Sequence, residues 1–385
     1  MKLSSFFAFA ALFLSSALAA ASPAQQPLLP PPPAPQVDAK GYILVDYNSG
    51  QTLASRKAEE RIEPASLTKL MTAYIAFTAI HQGRLSLDQT LPVSERAWKA
   101  EGSRMFIEPN KPVTVDELLH GMIIQSGNDA SITLAENIAG SEDAFAALMN
   151  REAQRLGMKN THFVNATGLP DPQHYSTPYD LSLLARAIIR DFPDFFKLYS
   201  IKEYRYNNIT QPNRNQLLWR DPSVDGMKTG HTEAAGFCLV STAKRQNMRL
   251  ISVVVGTASD NLRTSESQKL LNYGFQFFES YRPYRKGQAL ASLPMWKGNS
   301  RTLKAGLAED MYITVPRGQY PYIAASMVSR QPLLAPVSEG QAVGTLKISL
   351  GGKELTERPL VALEDVGVAN IFVRGWDSLR LLFSK

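Results

Sequence analysis

The sequence predicts an α+β fold: an antiparallel sheet packed against a helical cluster, then a small all-β domain and a terminal amphipathic helix. Three observations carry this. Strand-like alternation opens the folded region near Tyr42, helical periodicity dominates from Ser66 to Arg190, and alternation returns from Gly236 to Val255. Past Tyr281-Arg282-Pro283 the character changes to short alternating strands. A chain of 385 residues suits one large domain plus a smaller one. Its 44% hydrophobic and 20% charged residues lie near the globular norm, which excludes a disordered chain or a multispan membrane protein.

Residues 1–21 read as a secretory signal peptide: Met1-Lys2, an apolar run from Leu3 to Leu18, and alanines for cleavage after Ala19 or Ala21. The competing reading is a membrane anchor, but the run falls short of the ~20 residues that a span needs. Residues 22–36, with consecutive prolines from Pro30 to Pro33, read as a stiff extended spacer. The first domain is set at 37–280. It opens with a hairpin, Tyr42 to Tyr47 and Thr52 to Ala54 around Asn48-Ser49-Gly50. A helix follows from Ser66 to His81, with Pro64 just ahead, where a helix start tolerates it. Further helices are expected at Val115–Ile124, Ala130–Ala139, Glu142–Leu156 and Ser182–Arg190. Gly236–Ser241 and Leu250–Val255 read as adjacent antiparallel strands, and Ser267–Phe278 as the closing helix. The sole cysteine, Cys238, lies in the first of these strands and is read as a small buried hydrophobe.

An all-β domain is set at 281–365, with a hairpin from Leu346–Leu350 through Gly351-Gly352 to Leu360. Spacer, wall contact and partner docking are equally open roles for it. In the tail, 366–385, the residues Ile371, Phe372, Trp376, Leu379, Leu382 and Phe383 fall within one helical arc, opposite Arg374, Asp377, Ser378 and Arg380. The preferred reading is a helix lying on a membrane. The alternative is a helix docked on the β domain, and Leu381 falls on the polar side.

The net charge of +6 is modest for this length, and no basic run with interleaved aromatics occurs, so nucleic acid is not an expected partner. Anionic lipid or wall polymer fits better. His81, His120, His162 and His174 show no metal-ligand spacing, and neither a metal nor another cofactor is expected.

Three strings in fixed order carry the chemistry: Ser66-Leu67-Thr68-Lys69, Ser126-Gly127-Asn128 and Lys228-Thr229-Gly230. Alone, S-x-x-K proves little, since about one or two occur by chance in such a chain. Ser241-Thr242-Ala243-Lys244 is one such decoy, running from a strand into a turn. Ser66 and Lys69 instead share a face at a helix start, with the hydroxyl at the positive end of the helix dipole. A serine hydroxyl needs a base, and a lysine serves if desolvation or a neighbouring cation lowers its pKa. Lys228 is a candidate for that cation. Ser126 offers a hydroxyl that relays a proton to the leaving amine, and Asn128 an amide that orients the substrate backbone and Lys69. Lys228 and Thr229 form a cationic strand edge for a carboxylate, and Gly230 permits close approach of a substrate backbone.

With these motifs, and with Gln125 to Ala130, Asp225 to Thr232 and Asn213-Arg214-Asn215, the chain resembles the penicillin-recognising serine enzymes, specifically the low-molecular-mass D-alanyl-D-alanine carboxypeptidases. The resemblance covers nearly the whole mature chain and implies a penicillin-binding/β-lactamase-like fold for the first domain. It makes Ser66 the nucleophile, Lys69 its base, Ser126 with Asn128 the second element, and Lys228 with Thr229 the third. It implies that Arg214 binds the substrate's terminal carboxylate and that the N–H groups of Ser66 and His231 form the oxyanion hole. The β domain and tail also resemble that family, whose members sit on the outer face of the cytoplasmic membrane. A periplasmic, peripherally bound enzyme is therefore expected. Gly127 stands where class A β-lactamases carry Asp, and Asn165–Pro170 and Tyr175–Asp180 follow the family only loosely.

The activity implied is removal of the terminal D-alanine from peptidoglycan pentapeptide stems through an acyl-enzyme on Ser66, with acylation by β-lactams. The alternatives are a β-lactamase, a wall endopeptidase and a non-catalytic sensor. No glutamate lies between Met158 and Asp191, where a class A deacylating base is expected, and all three motifs are intact.

Overall fold

The computed structural model describes residues 30–383. The signal-peptide reading and the first part of the spacer lie outside them. The principal strands and helices are numbered here in chain order. The first unit of structure is a five-stranded antiparallel sheet of β1 (Gly41–Asp46), β2 (Thr52–Arg56), β3 (Val224–Thr232), β4 (Gly236–Arg245) and β5 (Met248–Thr257), in the order β2-β1-β5-β4-β3. Helices α1 (Lys69–His81), α2 (Val115–Ile124), α3 (Asn128–Ala139), α4 (Glu142–Arg155) and α5 (Pro178–Asp191) lie on one side of it in sequence, and α6 (Asp260–Phe277) follows β5.

Alternation along the strands sorts the core into two layers. Ile43, Val45, Val240, Ile251 and Val253 belong to a large cluster with Leu70, Met71 and Phe77 of α1. Leu44, Leu239, Leu250 and Val254 point the other way, onto Leu270 and Leu271 of α6. Since α1 is buried from Lys69 to Phe77, it is the central helix of the cluster, apolar around most of its circumference. Cys238 is fully buried, and burial pushes its thiol up to about 11, as suits a packing residue.

Two helices begin earlier than the sequence suggests. The first turn of α6 is mostly polar and that of α5 opens on a proline, but side-chain caps define both. Thr177 accepts from the Asp180 N–H at 3.1 Å ahead of α5, and Ser259 from the Leu262 N–H at 3.2 Å ahead of α6. The last residues of the proline-rich stretch are tied to α6: Tyr273 donates to the Pro32 carbonyl at 2.8 Å and Lys269 to that of Gln36 at 3.0 Å.

The second region comprises β6 (Phe278–Tyr284), β7 (Ala291–Trp296), β8 (Thr302–Gly306), β9 (Met311–Pro316), β10 (Ile323–Ser329), β11 (Leu333–Leu334), β12 (Ala342–Leu350) and β13 (Lys353–Ala362). Six of these form a sheet in the order β10-β12-β13-β8-β7-β11, and β6 pairs with β9. Leu303, Val343, Ile348 and Leu360 fill its own core. The two regions meet where Ser49 and Thr314 share a hydroxyl hydrogen bond of 2.6 Å, and where Arg317 donates to the Phe275 carbonyl at 2.7 Å.

The terminal helix, α7 (Ile371–Phe383), docks with its polar side inward. Fully buried Asp377 accepts from the Lys297 N–H at 2.7 Å and pairs with Arg301 at 2.7 Å. Val373 and Leu381, four residues to either side, are half-buried along the same line, which accounts for the leucine on the polar face. The apolar arc faces out: Phe372 is 85% and Phe383 87% exposed. Among the described residues no helix is long and apolar enough to cross a membrane.

Candidate active site

Ser66 does not lie in the first turn of an α-helix. Residues Ala65–Thr68 form a 3-10 turn, and α1 begins at Lys69. With three residues per turn, positions 66 and 69 eclipse, which aligns their side chains more closely than α-helical spacing does. Lys69 Nζ lies 3.0 Å from Ser66 Oγ, 2.7 Å from Asn128 Oδ1 and 2.7 Å from the Thr167 carbonyl. The two oxygens take both hydrogens of a neutral amine and leave its lone pair for the Ser66 hydroxyl.

Burial drives the Lys69 pKa down from the ordinary lysine range to about 7, and the Arg214 guanidinium adds to the shift. Lys228 is also fully enclosed. Burial holds its ammonium well below the usual range, with Lys69 and Arg214 as further causes. Desolvation is thus the largest cause for both lysines, with Arg214 and their mutual repulsion adding to it. Lys228 Nζ donates to Ser126 Oγ at 2.9 Å and to the Thr229 carbonyl at 3.0 Å.

Ser126 stands at φ +65°, and Ala65, just before Ser66, at φ +48°. Left-handed residues other than glycine cost roughly 1–3 kcal/mol each and persist where the surroundings fix them. Around Ser126 that fixture is Asp129, whose buried carboxylate accepts from the N–H groups of Met105 at 3.0 Å and Phe106 at 2.8 Å. Gly127 is required here because a Cβ would stand 2.8 Å from Asp129 Oδ1. Asn128 is pinned in turn, its Nδ2 donating to the Glu101 carbonyl at 2.6 Å.

These elements enclose a cleft of about 790 Å³ lined by Ser66, Ser126, Arg214, Thr229, Gly230 and His231, among others. Exposed Arg214 follows a short hairpin, Glu203–Tyr206 with Ile209–Pro212, and is flanked by buried Asn213 and Asn215. His231 is exposed and packs against Phe237, the rings tilted by 32° with centroids 4.0 Å apart. All nine candidate residues are therefore gathered at one place, with Lys69 and Lys228 buried beneath the cleft floor.

Gly230 lines the cleft, and a Cβ there would also meet the Pro64 carbonyl at 3.0 Å and Leu67 Cγ at 3.2 Å. The glycine lets edge strand β3 close onto the turn that carries Ser66. The decoy is removed by strand geometry: Ser241 is fully buried in β4 while Lys244, three positions on, is exposed.

Sequence reasoning missed three contributors. Arg263 of α6, almost fully buried, lines the cleft and donates to the Gly230 carbonyl at 3.2 Å. Thr167 acts through its backbone oxygen, which no residue type announces. Gly168, at φ +84°, packs so tightly that a Cβ would stand 1.8 Å from the Ala65 carbonyl. Gly168→Ala is therefore expected to cost about 2–4 kcal/mol and to slow acylation by displacing the Ser66 turn. Thermal unfolding beside penicillin labelling checks this, and an unchanged midpoint would contradict the packing. No carboxylate joins the Lys69 cluster from this loop; Glu142 instead accepts from the Ala166 N–H at 2.9 Å and pairs with Arg96.

Fold and cluster together define a serine enzyme of the penicillin-recognising class. A family model described as D-alanyl-D-alanine carboxypeptidase matches residues 29–259, and one described as penicillin-binding protein 5, C-terminal domain, matches residues 278–368. The chain belongs to the D-alanyl-D-alanine carboxypeptidase family, and is a serine-type carboxypeptidase of that kind. It is 42% identical over 360 residues to the D-alanyl-D-alanine carboxypeptidase DacA of Escherichia coli (strain K12), an alignment spanning 91% of this chain and 89% of that protein. The crystal structure of penicillin-binding protein 5 from Haemophilus influenzae superposes with a TM-score of 0.84 at 40% identity, covering 86% of this chain and 98% of that one. Penicillin-binding protein D2 from Listeria monocytogenes, solved in its ampicillin-bound form, matches with a TM-score of 0.59 at 30% identity, over 63% of this chain and 99% of that one.

Proposed function

We propose that the chain removes the terminal D-alanine from peptidoglycan pentapeptide stems, with Ser66 as nucleophile. The observation that carries this is the Lys69 triangle, in which two acceptors at 2.7 Å leave the amine's lone pair for the Ser66 hydroxyl. Neutral Lys69 takes that proton as Oγ attacks the carbonyl between the last two D-alanines. The oxyanion is held by the N–H groups of Ser66 and His231. Ser126 passes a proton to the departing D-alanine amine and is recharged through Lys228 with the proton that Lys69 took, which leaves Lys69 neutral again. Arg214 and Thr229, which both line the cleft, hold the terminal carboxylate, and Asn128 keeps Lys69 and the substrate backbone aligned. Water then gives a proton to Lys69 as it attacks the ester, and Lys69 returns it to Ser66 Oγ as the tetrapeptide stem leaves. β-Lactams acylate the same oxygen, because their strained amide presents the same carbonyl. Among the described residues no carboxylate hydrogen-bonds to Lys69 or Ser66, which favours this reading over a fast β-lactamase. Release of free D-alanine from diacetyl-Lys-D-Ala-D-Ala tests it. Rapid turnover of a chromogenic cephalosporin without such release would replace it with the β-lactamase.

The domain limits proposed are those of the sequence reading: signal peptide 1–21, spacer 22–36, peptidase 37–280, β domain 281–365 and tail 366–385. We further infer a periplasmic enzyme held on the outer face of the inner membrane. Outward-facing Ile371, Phe372, Trp376, Leu379, Leu382 and Phe383 support this, with exposed Arg374 and Arg380 at the two borders between the apolar arc and the polar side. Removing the residues after Asn370 is expected to weaken binding to anionic vesicles on the order of 100-fold. Unchanged sedimentation with the vesicles would refute it.

A further inference from the structure

We infer that His174 is a positioning residue for Lys69, clipping together the two segments that hold the lysine amine. His174 is 2% exposed and touches neither Ser66 nor the cleft that Ser66 lines. Its Nε2 lies 2.8 Å from Thr68 Oγ1, and its Nδ1 accepts from the Val164 N–H at 3.1 Å. Because Nδ1 accepts, the ring proton sits on Nε2, which donates to the threonine. Thr68 belongs to the turn carrying Ser66 and directly precedes Lys69. Val164 opens the loop whose Thr167 carbonyl accepts from Lys69 at 2.7 Å. One imidazole therefore spans the turn and the loop, and their separation sets how tightly the amine is enclosed.

The contact between these segments is already close. A Cβ on Gly168 would lie 2.9 Å from Thr68 Oγ1, so the loop has little room to approach further. What the clip prevents is opening. If the loop moved away, water would reach Lys69 and relieve the desolvation that is the largest cause of its lowered pKa. Loss of the Thr167 acceptor acts in the opposite direction but is the smaller effect. The ring keeps this role across the working range, since burial lowers its pKa to about 4. The charged or titratable groups facing it are Asp171 of its own loop, His162 on the segment before it and Lys69 on α1, while Arg61, Glu63 and Lys40 line, together with His174, a separate surface cleft.

The inference rests on Lys69 being the base, and the experiment separates the two. Acylation by a fluorescent penicillin is followed against pH for the full chain and for His174→Phe, His174→Asn and His174→Gln. Asn retains an acceptor near Nδ1, Gln a donor near Nε2, and Phe neither. In the wild type, acylation is expected to rise with pH through about 7. In His174→Phe that limb moves up by about one pH unit, so acylation falls about fivefold at pH 7, approaches a tenfold loss at lower pH and recovers in alkali. Asn and Gln shift it less. A rate loss uniform across pH, or no change in any of the three, overturns the clip. A wild type without the limb overturns the base assignment and the clip together. Should the phenylalanine variant fail to fold, the two amides carry the test.

Discussion

Ser66→Ala is expected to abolish D-alanine release, with a loss on the order of 10⁶ in turnover, because the attacking atom is gone while the rest of the site stands. The side chain contributes little else to the fold: the contact found for its oxygen is the one to Lys69, which keeps Asn128 and Thr167 as partners. The variant should therefore unfold at nearly the wild-type temperature. Mass spectrometry after exposure to benzylpenicillin completes the test, with an adduct on the wild type and none on the variant. An adduct that persisted would move the nucleophile elsewhere. The S-x-x-K decoy is a poor candidate, since Ser241 is fully buried in β4.

Lys69→Met is expected to lower acylation by about 10³–10⁴, near the upper end of what a positioned base supplies, since two buried acceptors also lose their donor. The wild-type pH profile is the sharper test. A lysine at its ordinary 10.5 would be almost wholly charged at pH 7, whereas at about 7 roughly half is neutral. Burial thus raises the competent fraction by about three orders of magnitude. The base works unprotonated, so the rate falls about tenfold per unit below pH 7 and levels off above it. A profile flat from pH 5 to 7 would remove Lys69 from that role.

The legible part of this protein is local and the hidden part long-range. The Ser66–Lys69 spacing, the strand edge at Lys228–Gly230 and the amphipathic arc of α7 depend on neighbours within a few residues, and each was readable as a pattern. Thr167 was not, because the chemistry lies in a carbonyl that every residue possesses. Arg263 was not, because its meeting with the Gly230 carbonyl depends on how α6 packs back over the sheet. The role of Asp129 was hidden for the same reason: a carboxylate after Asn128 looks like a helix-start acid, and only the folded chain brings Met105 and Phe106 to it. Gly230 shows a subtler limit. A glycine requirement was readable, but the close contact with Pro64 that adds to it was not. The docking of α7 adds another case, since periodicity separates two faces but does not say which one the protein covers.

That orientation of α7 alters the thermodynamics of reaching a surface. Peptide anchors that are coil in water must become ordered as they adsorb, at roughly 1 kcal/mol or more per residue. Here the 13 residues from Ile371 to Phe383 are already helical, fastened through Asp377 to Arg301 and the Lys297 N–H. Adsorption then draws on the full transfer energy of the apolar side chains, with little entropy lost. It also makes the helix a rigid foot. On the proposed attachment, a bilayer that accepts it would fix the tilt of the β domain, and with it the height of the serine cleft above the surface.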